Sequence, residues 1–171
     1  MKKNNNSKNY LITGTSSGIG NVLARYLLSK KHNVIGIARS KKNINSKNYT
    51  HISEDISKKD SVKKISDILR YQKIKLDGLI NNAGINIPNK FSKISRVDFD
   101  QVMDVNLAGP FFLTQKIISL IKREGSIVNI SSFSAISGGP VSSHYAISKA
   151  GIEAFTKNLS IFFSKKKVRV N

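Results

Sequence analysis

Tyr145 and Lys149 stand four residues apart in His144-Tyr-Ala-Ile-Ser-Lys149, and Ser132 lies thirteen residues upstream of the tyrosine. Residues four apart share one face of a helix, so a phenol and an ammonium in this spacing can look into the same pocket, one turn apart. An unperturbed tyrosine has a pKa of about 10 and is a poor acid-base group at neutral pH, but a nearby cation favours the phenolate and draws that value toward the working range. Tyr-x-x-x-Lys alone is common on ordinary amphipathic helices. It gains force here from the opening of the chain, Thr13-Gly-Thr-Ser-Ser-Gly-Ile-Gly20.

Gly14, Gly18 and Gly20 fall between a strand read at Tyr10 to Thr13 and a helix read at Ile19 to Lys31, whose apolar Val22, Leu23, Tyr26 and Leu27 recur at helical spacing. Glycines at such a junction allow a tight turn and close approach of backbone to a pyrophosphate at the positive end of the helix. No Gly-Lys-Ser/Thr follows, so the turn is not a P-loop. The alternation then continues. Asn33 to Ala38, Tyr49 to Ser53, Gly78 to Asn81 and Ser126 to Ile130 read as strands, and Val168 to Val170 as the start of a last one. Ser57 with Asp60 and Ser95 with Asp98 give helix-capping signals. The second of these helices is read as running to about Arg123, with an irregularity near Gly109-Pro110, and another helix as spanning Ser143 to about Lys165. The polar stretch Ser40 to Asn48 reads as a loop. Apolar strands alternating with helices predict an α/β fold: a doubly wound, Rossmann-type parallel sheet with helices on both faces, built as one domain over residues 1–171.

Composition narrows the setting. The chain has 171 residues and no cysteine, which excludes disulfides, thiolate catalysis and cysteine-ligated zinc; no metal site is expected. The basic, Asn-rich start runs straight into a strand rather than into a signal peptide's apolar run, and no stretch approaches the roughly 18 to 20 apolar residues of a membrane span. A cytoplasmic protein without membrane contact is expected. The net charge of +19 invites a nucleic-acid reading. Yet the lysines are spread in pairs such as Lys30-Lys31, Lys41-Lys42, Lys58-Lys59 and Lys63-Lys64, as on a solvated surface, and Lys165-Lys166-Lys167 suits the negative end of a helix dipole. No nucleic-acid partner is expected. His144 has no acidic partner at a telling spacing and reads as a surface or rim residue.

Thr13-Gly-x-x-x-Gly-x-Gly20, Asn81-Asn-Ala-Gly84, Asn106, Ser132 and Tyr145-x-x-x-Lys149, in this order and spacing, resemble the short-chain dehydrogenase/reductase family over essentially the whole chain. Asp104-Val-Asn-Leu107 and Ile130-Ser-Ser132 look most like its 3-oxoacyl-[acyl-carrier-protein] reductases. The resemblance implies that Tyr145 protonates the alkoxide formed on carbonyl reduction. It further implies that Lys149 lowers the tyrosine's pKa and bonds the nicotinamide ribose, that Ser132 bonds the substrate oxygen, and that Asn106 holds a water linking Lys149 to solvent. The dinucleotide would lie on Gly14, Ser16, Ser17, Gly18, Ile19 and Gly20, on Arg39, Asp55 and Ile56, on Asn82, Ala83 and Gly84, and on Tyr145 and Lys149.

The second strand bears on which dinucleotide. NAD sites usually present an Asp or Glu there for the ribose 2′-OH, whereas a nearby Arg accommodates a 2′-phosphate. Ala38 occupies the acidic position and Arg39 follows, which favours NADP(H) over NAD(H), although Ser17 stands where a second basic residue often lies in NADP-specific relatives. The resemblance also implies a final strand and a substrate lid beyond Asn171, so the sequence reads as a carboxyl-terminally incomplete member of the family. Expected function is ketone/secondary-alcohol interconversion on a small-molecule or acyl-carrier-bound carbonyl. The alternative is a truncated, non-catalytic dinucleotide-binding or interaction module. Relatives pair into homodimers or homotetramers through the two long helices, and Phe111, Phe112, Phe155, Leu159 and Phe162 suit either such pairing or cover of their own sheet.

Overall fold

A computed structural model of the chain describes residues 7–40, 43–139 and 142–171. The first six residues and the Lys41-Lys42 pair lie outside the described part. Six parallel strands, β1 (Asn9–Thr13), β2 (Asn33–Ala38), β3 (Tyr49–Ser53), β4 (Leu76–Asn81), β5 (Ile121–Asn129) and β6 (Arg169–Val170), form one sheet in the order β3-β2-β1-β4-β5-β6. The helices are α1 (Gly18–Ser29), α2 (Lys59–Tyr71), α3 (Arg96–Met103), α4 (Gly109–Ile117), α5 (Ser134–Ser137) and α6 (Ser143–Phe163). This is the doubly wound order. The chain reverses its direction of travel across the sheet between β1 and β4, and the carboxyl ends of these two strands flank the crevice where such folds hold ligands. Among the described residues no helix is long and apolar enough to cross a membrane.

Alternation along the strands loads both faces of the sheet. Leu11, Ile35, Ile37, Leu79 and Ile127 face α2, α4 and α6 and pack with Ile65, Leu69, Leu113, Ile117 and Phe163. Ile12, Val34 and Ile80 face the other way, onto Ala24 of α1 and Tyr49. Each fully buried Leu or Ile contributes about 1.5 to 3 kcal/mol of transfer free energy, so the two faces together hold the sheet flat against its helices.

The strands β2 and β3 have the bounds read from sequence, and the Ser95 hydroxyl accepts the Asp98 N–H at 3.0 Å as its capping signal predicts. Four expectations fail. The helix read as running to Arg123 ends at Ile117, with one further tight turn to Leu120, and β5 begins at Ile121 instead of Ser126. Ile121 pairs with Leu76 and Lys122 reaches Asp77, while Glu124 takes a left-handed backbone (φ 64°) where the register shifts. Ser57 does not cap α2: its N–H and hydroxyl both go to Asp55 Oδ1, and Lys58 stands at the N-cap. Val22 and Tyr26 point outward at 68% and 56% exposure, because Ala24 and the partly buried Leu23, Leu27 and Leu28 make the α1 contact. His144 is 1% exposed, not at the rim, since it lies on the inner side of the first turn of α6.

Asp77 ties three strands. Its carboxylate accepts the Asn9 N–H at 2.8 Å and the Lys122 ammonium at 2.9 and 3.0 Å. Burial alone would push its pKa up, but the Asn9 N–H and Lys122 outweigh it and hold the carboxyl below its ordinary 3.8. A depressed carboxyl pKa means stabilisation that is present above that ordinary value and is lost as pH falls below it. Asp77→Asn is therefore expected to lower Tm at neutral pH by about 2 to 4 °C, the equivalent of roughly 1 kcal/mol in a chain of this size. Thermal melts between pH 7 and pH 2.5 check this: the gap between wild type and variant should narrow below the ordinary carboxyl value, and parallel curves would contradict it.

Candidate active site

At the carboxyl ends of β1 and β4 the strands diverge, and Thr13 and Asn82 knot them together. Thr13 Oγ1 accepts the N–H groups of Asn82 and Ala83, each at 3.0 Å, while Asn82 Nδ2 donates to the carbonyls of Thr13 (2.9 Å) and Gly14 (3.2 Å). The turn that follows needs its glycines. Gly14 has φ 77°, and a methyl built on it would stand 2.9 Å from Ala83 Cα; one on Gly20 would stand 2.4 Å from the Gly14 carbonyl oxygen. Gly18, by contrast, faces open space at the start of α1, whose first N–H groups have no partners within the helix.

The crevice is a cleft of about 540 Å³, within the usual range for cofactor sites. It is lined by Gly14, Ser16, Ser17, Gly18 and Ile19 of the glycine turn, by Arg39, Asp55 and Ile56 after β2 and β3, by Asn82, Ala83 and Gly84 after β4, and by Tyr145 and Lys149 of α6. Of the residues expected to hold a dinucleotide, Gly20 alone is set back behind the lining, where it packs on Gly14 and Asn82. Glu54, Ile85, Asn86, Val105, Ile130 and Ser131 also line the cleft and were not singled out from sequence. Several of these offer only backbone or ordinary apolar surface, for which residue type carries no signal.

Lys149 and Tyr145 project from one face of α6. The ammonium lies 5.7 Å from the centre of the Tyr145 ring, and donates to the Ile130 carbonyl at 2.7 Å. Lys149 is 4% exposed, and burial lowers its pKa. The Ile130 carbonyl takes one of its three donors, leaving two for other partners. Ser131 reaches back across the same gap, its hydroxyl donating to Glu153 Oε1 at 2.8 Å, and Asn129 Nδ2 donates to Thr156 Oγ1. Three successive residues at the end of β5 are thus tied to α6. Ser132 lies outside the cleft lining, and its Oγ accepts the Ser134 N–H at 3.2 Å.

Asn106 lies behind the lining, inside a π turn, Asp104–Ala108, that joins α3 to α4. Gly109 N–H bonds the Asp104 carbonyl five residues back, and Pro110 has no N–H to give the Asn106 carbonyl four residues back. The Asn106 side chain clasps Ile85 from both sides, Oδ1 accepting its N–H at 2.8 Å and Nδ2 donating to its carbonyl at 2.9 Å, and Nδ2 also donates to Ser148 Oγ. A methyl placed on Gly84 would stand 3.4 Å from Asn106 Oδ1 and 3.5 Å from the Lys149 ammonium, so the three residues converge. Asn106→Ala leaves Ile85 without its side-chain partners and is expected to destabilise the chain by about 1 to 3 kcal/mol. Asn106→Asp, which keeps the acceptor but turns a second oxygen toward the Ile85 carbonyl, should not recover the loss. Urea unfolding of both variants checks this, and wild-type stability of either would contradict the two-sided clasp.

Comparison with known proteins agrees with this fold. The model of the short chain dehydrogenase family matches residues 8–171. Among curated relatives, the 3-oxoacyl-[acyl-carrier-protein] reductase of Rickettsia felis is 36% identical over 96% of this chain and 70% of its own length. The sorbitol-6-phosphate 2-dehydrogenase of Klebsiella pneumoniae is 33% identical over 94% of this chain and 65% of its own. The chain thus spans about two thirds of the length of these relatives. Among solved structures, a short chain dehydrogenase from Leptospira borgpetersenii with bound NAD+ superposes with a TM-score of 0.91 at 32% identity, covering 96% of this chain and 69% of that one. With these motifs, this strand order and these relatives, the chain belongs to the short-chain dehydrogenase family.

Proposed function

We propose that this chain carries the catalytic and dinucleotide-binding machinery of an NADP(H)-dependent oxidoreductase that interconverts a ketone and a secondary alcohol, with 3-oxoacyl thioesters on an acyl carrier as the substrate class to test first. The observation that carries this reading is the buried Lys149 ammonium, pinned by the Ile130 carbonyl one helical turn from Tyr145, in the same cleft as the glycine turn.

The residues present fit a dinucleotide. The open face of Gly18 at the N-terminus of α1 suits a pyrophosphate, and Arg39 in the cleft lining suits a 2′-phosphate, with Ala38 in place of the acidic residue that would bind a free 2′-OH. When bound, the reduced nicotinamide would supply the hydride. Tyr145 would give its phenolic proton to the oxygen of the reduced carbonyl, and Ser132 would hold that oxygen by rotating its hydroxyl, whose acceptor side already binds Ser134 N–H. Lys149 has two donors left for the ribose and for stabilising the phenolate. The Asn106 carbonyl, which Pro110 cannot engage, would hold the water through which Tyr145 and Lys149 are reprotonated.

Support for self-association comes from the groove between α4 and α6, which is lined by Met103, Leu107, Phe111, Phe112 and Phe155. Leu159 belongs to the chain's own core, whereas Phe112 and Phe162 are more than half exposed, so part of this aromatic set is free to meet a second copy.

Tyr145→Phe is expected to lower kcat by about 10² to 10⁴-fold, the usual weight of a general acid, with NADPH affinity unchanged within about twofold. Paired turnover and NADPH fluorescence titrations check this. Stoichiometric NADPH binding without turnover of any ketone by the wild-type chain would favour the binding-module reading instead. Arg39→Asp is expected to weaken NADPH by about tenfold or more through loss of a charge-assisted clamp and to leave NADH no weaker; an unchanged NADPH affinity would remove the argument for NADP(H).

A further inference from the structure

The backbone that carries Arg39 is held from an unexpected side. Tyr49, His51 and Ser53 alternate along β3 and therefore project from one face of the sheet, the face that packs on α1. His51 Nε2 lies 2.8 Å from the Ser40 carbonyl oxygen, and Ser53 Oγ donates to the Arg39 carbonyl at 3.3 Å. These two carbonyls come just after β2 ends at Ala38, beyond its register with β3. On the other side, Asn43 Nδ2 donates to the Ser16 carbonyl at 2.6 Å and Arg25 Nη2 donates to the Asn43 carbonyl.

Hydrogen-bond chemistry gives the first of these contacts a direction. A carbonyl can only accept, so Nε2 of His51 carries a proton, and in the neutral imidazole Nδ1 must then accept. The Tyr49 hydroxyl lies 3.4 Å from Nδ1, and Thr15 Oγ1 lies 2.9 Å from the Tyr49 hydroxyl. Burial pushes the Tyr49 pKa up, so it stays a hydroxyl and can donate. The chain of donors runs Thr15 to Tyr49 to His51 to the Ser40 carbonyl. It starts in the glycine turn, where Thr15 is fully buried, and ends beside Arg39. Gly36 makes room for it: a methyl at that position would stand 2.1 Å from the Tyr49 hydroxyl and 2.6 Å from Thr15 Oγ1.

We propose that His51 is a positioning residue for dinucleotide choice: with Ser53, it fixes the backbone from which the Arg39 guanidinium reaches a 2′-phosphate, and it couples that backbone to the glycine turn. The proposal rests on the NADP(H) reading above. An arginine on a free backbone must be ordered at the moment of binding, and a held one is already in reach. Removing the histidine should therefore weaken the ligand that has a 2′-phosphate and spare the one that lacks it.

The experiment is a set of NADPH and NADH titrations, followed by nicotinamide fluorescence, on the full chain and its Arg39→Ala, His51→Leu, His51→Gln and Arg39→Ala/His51→Leu variants, each with a thermal melt. His51→Leu is expected to weaken NADPH by about five- to tenfold, the weight of one hydrogen bond, with NADH changed by less than about twofold. His51→Gln, whose amide N–H matches the reach of Nε2, should restore most of the loss. In the Arg39→Ala background His51→Leu should add nothing, because the two act through the same contact. Equal weakening of both dinucleotides by His51→Leu, or none of either, would overturn the proposal while Arg39→Ala still lowers the NADPH/NADH ratio. If Arg39→Ala itself leaves that ratio unchanged, the NADP(H) reading falls and the role of His51 falls with it.

Discussion

The knot between Thr13 and Asn82 is the constraint on which the rest of the site depends. A parallel sheet satisfies its backbone only as far as its strands run together, and β1 and β4 stay in register only to Ile12 and Ile80. Past that point one threonine hydroxyl takes two N–H groups and one asparagine amide feeds two carbonyls, so the four backbone groups nearest the divergence are all paired. An unpaired buried group of this kind costs about 1 to 3 kcal/mol, so the fold could not leave this end of the sheet open without such a device. Its geometric consequence is functional. The glycine turn is held against Ala83, so both enter the lining of one cleft.

The same solution recurs around the cleft with other residues. Asn106 satisfies Ile85 where the wall leaves β4, and Lys149, Glu153 and Thr156 tie the end of β5 to α6. Asn81 Nδ2 joins β4 to Thr114 and to Asn129 beneath them. Side chains that could be assigned to chemistry alone are therefore also the fasteners of the sheet end. This explains why a buried ammonium is tolerated at Lys149. Its burial is unfavourable to the charge, but the Ile130 carbonyl receives it and the helix turn behind it is anchored.

Much of this was legible in the sequence because it depends on residue type at short range. The apolar runs of β1 and β2, the glycine turn and the Tyr145-x-x-x-Lys149 spacing each declare themselves within ten residues. What was not legible depends on long-range pairing. Lys122-Arg123-Glu124 has the composition of an exposed helical turn, and only Asp77 and Leu76, more than forty residues away, make it strand. His144 lacks an acidic partner in sequence and so reads as a rim residue, yet the first turn of α6 turns it inward. Glu153 and His51 look like surface polar residues until the fold brings Ser131 to one and the Ser40 carbonyl to the other.

The central claim is that these fasteners build, in advance of any ligand, a cleft shaped for a dinucleotide. Backbone hydrogen–deuterium exchange on the full chain, with and without saturating NADPH, tests it most directly, because amides that a pyrophosphate engages must slow. Protection at residues 14–20, 37–40, 54–56 and 82–86 and in the first turns of α6 is the expected result. Unchanged exchange across the glycine turn at saturation, with protection elsewhere on the chain, would contradict it.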